Sequence, residues 1–169
     1  MKKWFFLFLS ASLAFTACKK DKDTAGCTYT QSSTVATPAE IDSLGSYLSH
    51  QGISTIQDSS GVFYSIDSLG SGLTPGLCSN MTVEYKCILL KNDKVVDSTA
   101  TGQTTVMQLG GLIVGWQKIM PMIKAGSRVT LYIPPTLGYG ATTKRNGDGD
   151  VIIPAYSYLK FNIWLVSFQ

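Results

Sequence analysis

The sequence predicts an antiparallel α+β domain, and three observations carry that prediction. Between Met81 and Leu90 the apolar residues Met81, Val83, Tyr85, Cys87 and Leu89 alternate with Thr82, Glu84 and Lys86, which is the period of a strand buried on one face. Five more runs read as strands: Val62 to Asp67, Val95 to Ser98, Thr104 to Leu109, Arg128 to Ile133 and Leu159 to Phe168. A single helical stretch interrupts them, with Trp116, Ile119, Met120 and Ile123 at i, i+3, i+4, i+7 spacing. Strands around one short helix favour an antiparallel sheet with the helix on one face, because a parallel sheet needs a crossover between successive strands.

The 169 residues, 44% of them apolar, suffice for one well-buried core and not for two. Lys2 and Lys3, the uncharged run Trp4 to Phe15 and the small residues before Cys18 read as an export signal. That run is too short for a spanning helix, which takes roughly 20 residues. Phe15-Thr16-Ala17-Cys18 resembles the lipobox of bacterial lipoproteins, with Phe15 where leucine is usual. The resemblance implies lipidation of Cys18 and residence in the bacterial envelope, with the outer membrane expected, on its periplasmic face or at the cell surface. An ordinary signal peptide cut near Ala17 is the alternative. Lys19 to Asp23 is similar to the charged tract that follows the anchor in surface lipoproteins of Bacteroidetes-type bacteria, and equally reads as a solvated tether.

From Thr24 to Thr37 half of the fourteen residues are Ser or Thr, a composition that favours a flexible tether. At Thr37-Pro38-Ala39-Glu40 a capping box with proline at the first helical position starts a helix. Ile41, Leu44 and Leu48 give it one apolar face, and Gly52 ends it. Gly45 weakens this helix, so it is expected to lean on another element. Pro121 limits the second helix to about two turns. The expected organisation is a signal peptide over 1–17, a tether over 18–37, a short helical segment over 38–59 and the folded domain over 60–169.

Charge and chemistry exclude several classes. Five of the fourteen basic residues and two of the eleven acidic ones precede Thr24, leaving nine of each sign in the remainder. A neutral domain lacks the clustered Lys and Arg that nucleic-acid binding needs. The one histidine, His50, reads as an exposed helix-end residue, which leaves no Ser-His or Cys-His nucleophile pair. Neither a CxxC nor a His/Cys cluster is present, so no metal site or cofactor is expected. Asn146 to Asp150 glances at a calcium loop, but its twelfth position is Ser157 instead of glutamate, and the stretch reads as a solvated Gly-rich loop. Apart from Cys18, three cysteines remain. Cys78 and Cys87 could bridge in an oxidising compartment, while Cys87 also fits as a buried strand residue.

Leu109-Gly110-Gly111-Leu112-Ile113-Val114-Gly115-Trp116 resembles a signature segment of FKBP-type peptidyl-prolyl isomerases. Ile133-Pro134-Pro135, Leu137-Gly138-Tyr139-Gly140-Ala141, Ile152-Ile153-Pro154 and Leu159-Lys160-Phe161 follow in the family's order, and Val83 to Asp97 matches its opening strands. The resemblance implies an antiparallel five- or six-stranded sheet wrapped around the short helix, and catalysis of cis/trans isomerisation of X-Pro bonds in exported polypeptides. It implies Trp116 as the floor of an apolar pocket, Tyr139 as a hydroxyl donor and Asp97 as the polar group beside the rotating amide. Tyr85, Val96, Thr105, Met107, Leu112, Ile113, Ile152, Ile153 and Phe161 are the expected peptide contacts. Val96 and Thr105 stand where strongly active relatives carry aromatics, so the resemblance implies a wider pocket, weak turnover and poor macrolide inhibitor binding. A weakly active or inactive chaperone or peptide-binding module is the alternative function.

Overall fold

The computed structural model describes residues 26–169; the export signal, Cys18 and the first part of the expected tether lie outside the described residues. Nine strands and two helices follow in the order α1 (Pro38–His50), β1 (Ile56–Gln57), β2 (Phe63–Ser68), β3 (Asn80–Leu89), β4 (Lys94–Ser98), β5 (Thr105–Gln108), α2 (Val114–Ile119), β6 (Arg128–Ile133), β7 (Lys144–Arg145), β8 (Val151–Ile153) and β9 (Leu159–Phe168). Seven strands form one sheet in the order β1-β2-β6-β9-β3-β4, with β5 also paired to β3. Every pairing is antiparallel. The sheet has one strand more than expected because β1 contributes two residues, too few for any periodicity to be visible. A separate hairpin, β7 with β8, flanks residues 146–150, which form the exposed loop between its two strands.

Alternation along the central strands fixes where the core lies. Val129, Leu131 and Ile133 of β6 share one face with Phe161, Ile163 and Leu165 of β9 and Val83 and Cys87 of β3, and all are buried in one cluster with Trp116 and Ile119 of α2. Helix α2 lies very close to the sheet: a Cβ on Gly115 would come within 2.7 Å of two Ile133 side-chain carbons. After Ile119 the chain tightens into a 3₁₀ turn at Met120–Met122, where Pro121 has no amide to continue the helix.

Tyr132 points to the opposite face, as the strand period requires, and there it packs with Phe63, Leu90 and two residues of α1, Leu44 and Leu48. Thr37 and Glu40 form the expected capping box. The Glu40 carboxylate also accepts from the Thr136 amide and hydroxyl, both at 3.0 Å, which ties the start of α1 to the turn before Tyr139. Partial burial raises the Glu40 pKa, but the hydrogen bonds from Thr37 and Thr136 outweigh it, and the carboxyl is held below its ordinary range.

The stretch from Gly26 to Thr37 is not the tether its composition suggested. Cys27 is bonded to Cys78, Cα atoms 5.7 Å apart, and Cys87 is free and buried, so the alternative Cys78–Cys87 pairing does not occur. Farther along, the Ser32 carbonyl accepts from the Lys118 ammonium and the Ala36 amide donates to the Ser60 carbonyl at 2.8 Å. Between Cys27 and Ser32 the Tyr29 ring covers Gly110 so closely that a Cβ there would meet it at 2.2 Å. A covalent bond and close packing offset the ordering entropy that Ser/Thr-rich composition alone would leave unopposed.

Candidate active site

The sheet builds the site row by row. Cys87 faces Phe161 on β9 and Asp97 on β4, so Asp97, Cys87 and Phe161 form one line across the sheet. The register slips between Cys87 and Ile88, leaving Val96 as the extra residue of a β-bulge. That bulge sets Asp97 opposite Cys87, where its Oδ2 accepts the Tyr85 hydroxyl at 2.5 Å. Across the row, α2 presents Trp116, whose ring meets Phe161 edge-on at 5.4 Å and Tyr85 edge-on at 6.0 Å. Such edge-to-face geometry suits the ring quadrupoles. Trp116 is only 2% exposed, so it offers the edge of a buried ring rather than a free side chain.

Two further segments close the hollow. The chain enters α2 through Leu112 and Ile113, and the Gln117 side chain holds that entry by donating to the Gly110 and Leu112 carbonyls at 3.1 and 2.7 Å. Tyr139 follows the 3₁₀ turn at Pro135–Leu137. Its backbone is fixed by hydrogen bonds from Gly140 N–H to Pro135 O, Thr142 N–H to Tyr139 O and Tyr156 N–H to Gly140 O. The result is a hollow of about 90 Å³ lined by Tyr85, Asp97, Met107, Leu112, Ile113, Trp116, Tyr139 and Phe161.

Each lining residue is one that the sequence singled out. Val96, Thr105, Ile152 and Ile153 are not in the lining. Val96 is displaced by the bulge, Thr105 belongs to the row of Val83, and Ile153 is buried opposite Lys144 of the small hairpin. Sequence reasoning missed Cys87, which lies under the hollow, and Lys144, whose Nζ sits 4.8 Å from the centre of the Tyr139 ring. Alternation along β3 marks Cys87 as inward-facing; nothing local marks Lys144.

Electrostatics keep the site's hydroxyls and thiol neutral. Burial first, then the hydrogen bond to Asp97 and its charge, push the Tyr85 phenol well above its ordinary range. Burial, with Asp97 adding, pushes the Cys87 thiol up to about 12. Tyr139 is raised by burial and by the nearby Cys87 and Asp97. All three hold their protons at neutral pH, and Tyr139 makes no side-chain hydrogen bond among the described residues. The described residues contain no group of three or more His, Cys, Asp or Glu placed to hold a metal ion.

Fold and hollow together define the class: a small antiparallel domain with a hollow between an aromatic corner and the Tyr139 phenol. A sequence model of the FKBP-type peptidyl-prolyl cis-trans isomerases matches residues 74–166, more than half of the chain, and the chain belongs to that family. It is 36% identical over 112 residues to the FKBP-type peptidyl-prolyl cis-trans isomerase FkpA of Buchnera aphidicola subsp. Schizaphis graminum, covering 66% of this chain and 42% of that protein. The chain thus spans about two fifths of the length of the curated relatives it matches. The crystal structure of FkpA from Escherichia coli superposes with a TM-score of 0.63 at 28% identity, over 78% of this chain and 58% of that one. The crystal structure of AtFKBP13 superposes with a TM-score of 0.61 at 26% identity, over 69% and 99% respectively.

Proposed function

We propose that this chain catalyses cis/trans isomerisation of X-Pro bonds in exported polypeptides, without a covalent intermediate or cofactor. The observation that carries this reading is the hollow itself: about 90 Å³, walled by four aromatic rings, one of which, Tyr85, is hydrogen-bonded to Asp97. Drug-sized ligands take pockets of roughly 300–1,000 Å³. A hollow this small suits a single ring such as that of proline, and large macrolides are expected to bind weakly.

The X-Pro amide faces a barrier of ~18–20 kcal/mol because rotation breaks its C–N double-bond character. Catalysis then requires a site that prefers the twisted amide over the planar one. Trp116, Phe161 and Ile113 would hold the proline ring and exclude water, which otherwise stabilises the planar, charge-separated form. Tyr139, protonated and without an internal partner, would donate to a substrate carbonyl. Asp97, oriented by Tyr85, would supply a fixed negative charge beside the rotating bond. Val96 stands where the resemblance puts an aromatic in strongly active relatives, and it lies outside the lining; this favours modest turnover or, as a second reading, a peptide-binding module without useful catalysis.

The proposed site of action is the bacterial envelope, reached through the signal over 1–17 and an anchor at Cys18. The Cys27–Cys78 bond supports it, since structural disulfides persist in oxidising compartments. Palmitate labelling that fails in the wild-type protein would remove the anchor from this reading. The activity is tested by exchange NMR of a short Leu-Pro or Phe-Pro peptide with the full chain. Catalysed exchange that drops in Asp97→Ala and Tyr139→Phe proteins supports the isomerase; peptide binding with no exchange at high protein concentration selects the binding module.

A further inference from the structure

We propose that Lys144 is a positioning residue for Tyr139, and that the β7–β8 hairpin exists to hold it there. This rests on the isomerase reading for its catalytic consequence, but not for its geometry. The Tyr139 carbonyl accepts from the Thr142 amide and the neighbouring Gly140 is hydrogen-bonded to Pro135 and Tyr156, whereas the Tyr139 hydroxyl has no internal hydrogen bond among the described residues. Only contacts to the ring can then fix where the hydroxyl points. Lys144 Nζ lies 4.8 Å from the ring centre, inside the range of an attractive cation–π contact.

The hairpin is stiff enough to serve this purpose. Lys144 pairs with Ile153, which is buried in the main core, and Arg145 pairs with Val151. Beyond them the turn is locked: Asn146 Oδ1 accepts from the Asp148 and Asp150 amides at 3.1 and 2.7 Å, and Arg145 Nη1 donates to the Gly149 carbonyl at 2.7 Å. The charges facing Tyr139 are thus Lys144 from the hairpin and, from the sheet, Asp97; burial of the phenol, then Cys87 and Asp97, raise its pKa. A cation on one side of the ring and a carboxylate beyond it keep the phenol over the hollow while leaving its proton free to be given to a ligand.

The test compares Lys144→Met and Lys144→Arg in the full chain, with two readouts. In tyrosine-labelled protein, Lys144→Met shifts and broadens the Tyr139 ring signals, and Lys144→Arg restores them because a guanidinium also stacks on the ring. With the proline peptide, Lys144→Met lowers kcat/KM roughly two- to five-fold, as loss of one cation–π contact would, chiefly through kcat, and Lys144→Arg recovers most of it. In a Tyr139→Leu background Lys144→Met has no further effect, since its influence runs through the ring. Tyr139 signals that stay unchanged in Lys144→Met overturn the inference, as does an equal loss of activity in the Tyr139→Leu background. A wild-type protein with no exchange activity would instead sink the isomerase reading, leaving the ring signals to decide the role of Lys144.

Discussion

Two concavities among the described residues differ in kind, and the larger is the one with less chemistry. A groove of about 730 Å³ runs between α1 and the 154–158 loop, with Leu44, Tyr47, Leu90, Tyr156 and Tyr158 among its lining. The hollow beneath Tyr139 is far smaller. Yet only the hollow combines a buried tryptophan, a carboxylate bonded to a phenol, and hydroxyl and thiol groups whose pKa values burial and charge have moved. Perturbed titration and convergent polar groups mark a functional site better than volume does. The groove follows from an amphipathic helix leaning on one end of a twisted sheet; the hollow follows from rows of side chains brought together by strand register.

Substitutions in each region can break that contrast. Trp116→Ala should have the largest effect, lowering unfolding free energy by roughly 3–5 kcal/mol and abolishing peptide exchange, because the residue belongs to the core and the site at once. Denaturant unfolding with retained exchange would detach the hollow from function. Leu44→Ala, on the groove side, should cost roughly 2–5 kcal/mol of stability yet leave kcat/KM per folded molecule unchanged. Should activity fall with it, the groove is part of the working surface.

Asp97→Ala removes the Tyr85–Asp97 hydrogen bond and should lower stability by roughly 1.5–3 kcal/mol. Losing the fixed charge beside the rotating amide should also lower kcat/KM about ten- to hundred-fold. Tyr85 should then ionise at lower pH in a spectroscopic titration, since the bond to Asp97 and its charge both raise it. The smallest effect is alkaline. Cys87 has a folded-state pKa raised from 9.0 to about 12, so its contribution to stability is complete below pH 9 and disappears as pH climbs towards 12. Tyr85, raised from 10.0, acts in the same direction. Unfolding midpoints should be flat near neutral pH and fall above pH 9, less steeply in Cys87→Ala; a stability that rises with pH there contradicts the burial of these groups.

Much of this was legible along the chain. Period-two alternation from Met81 to Leu89 located the longest strand and, with it, Cys87 and Tyr85 on one face. The Thr37 to Glu40 capping box gave the start of α1. Two-residue strands such as β1 and β7 carry no period and were invisible. The Ser/Thr-rich stretch misled because composition reports the entropy of a free chain, whereas Cys27 finds its partner 51 residues away.

Local sequence therefore determined which residues are strand or helix and which face each turns inward. These depend on periodicity and residue chemistry within a few positions. Only tertiary structure decided the rest: that a bulge at Val96 would swing Asp97 to Tyr85, that Cys27 would choose Cys78, and that Lys144 would lie on the Tyr139 ring. Each joins residues through the register of strands or the packing of segments distant in the chain, and register is fixed by the whole sheet at once rather than by any one stretch of it.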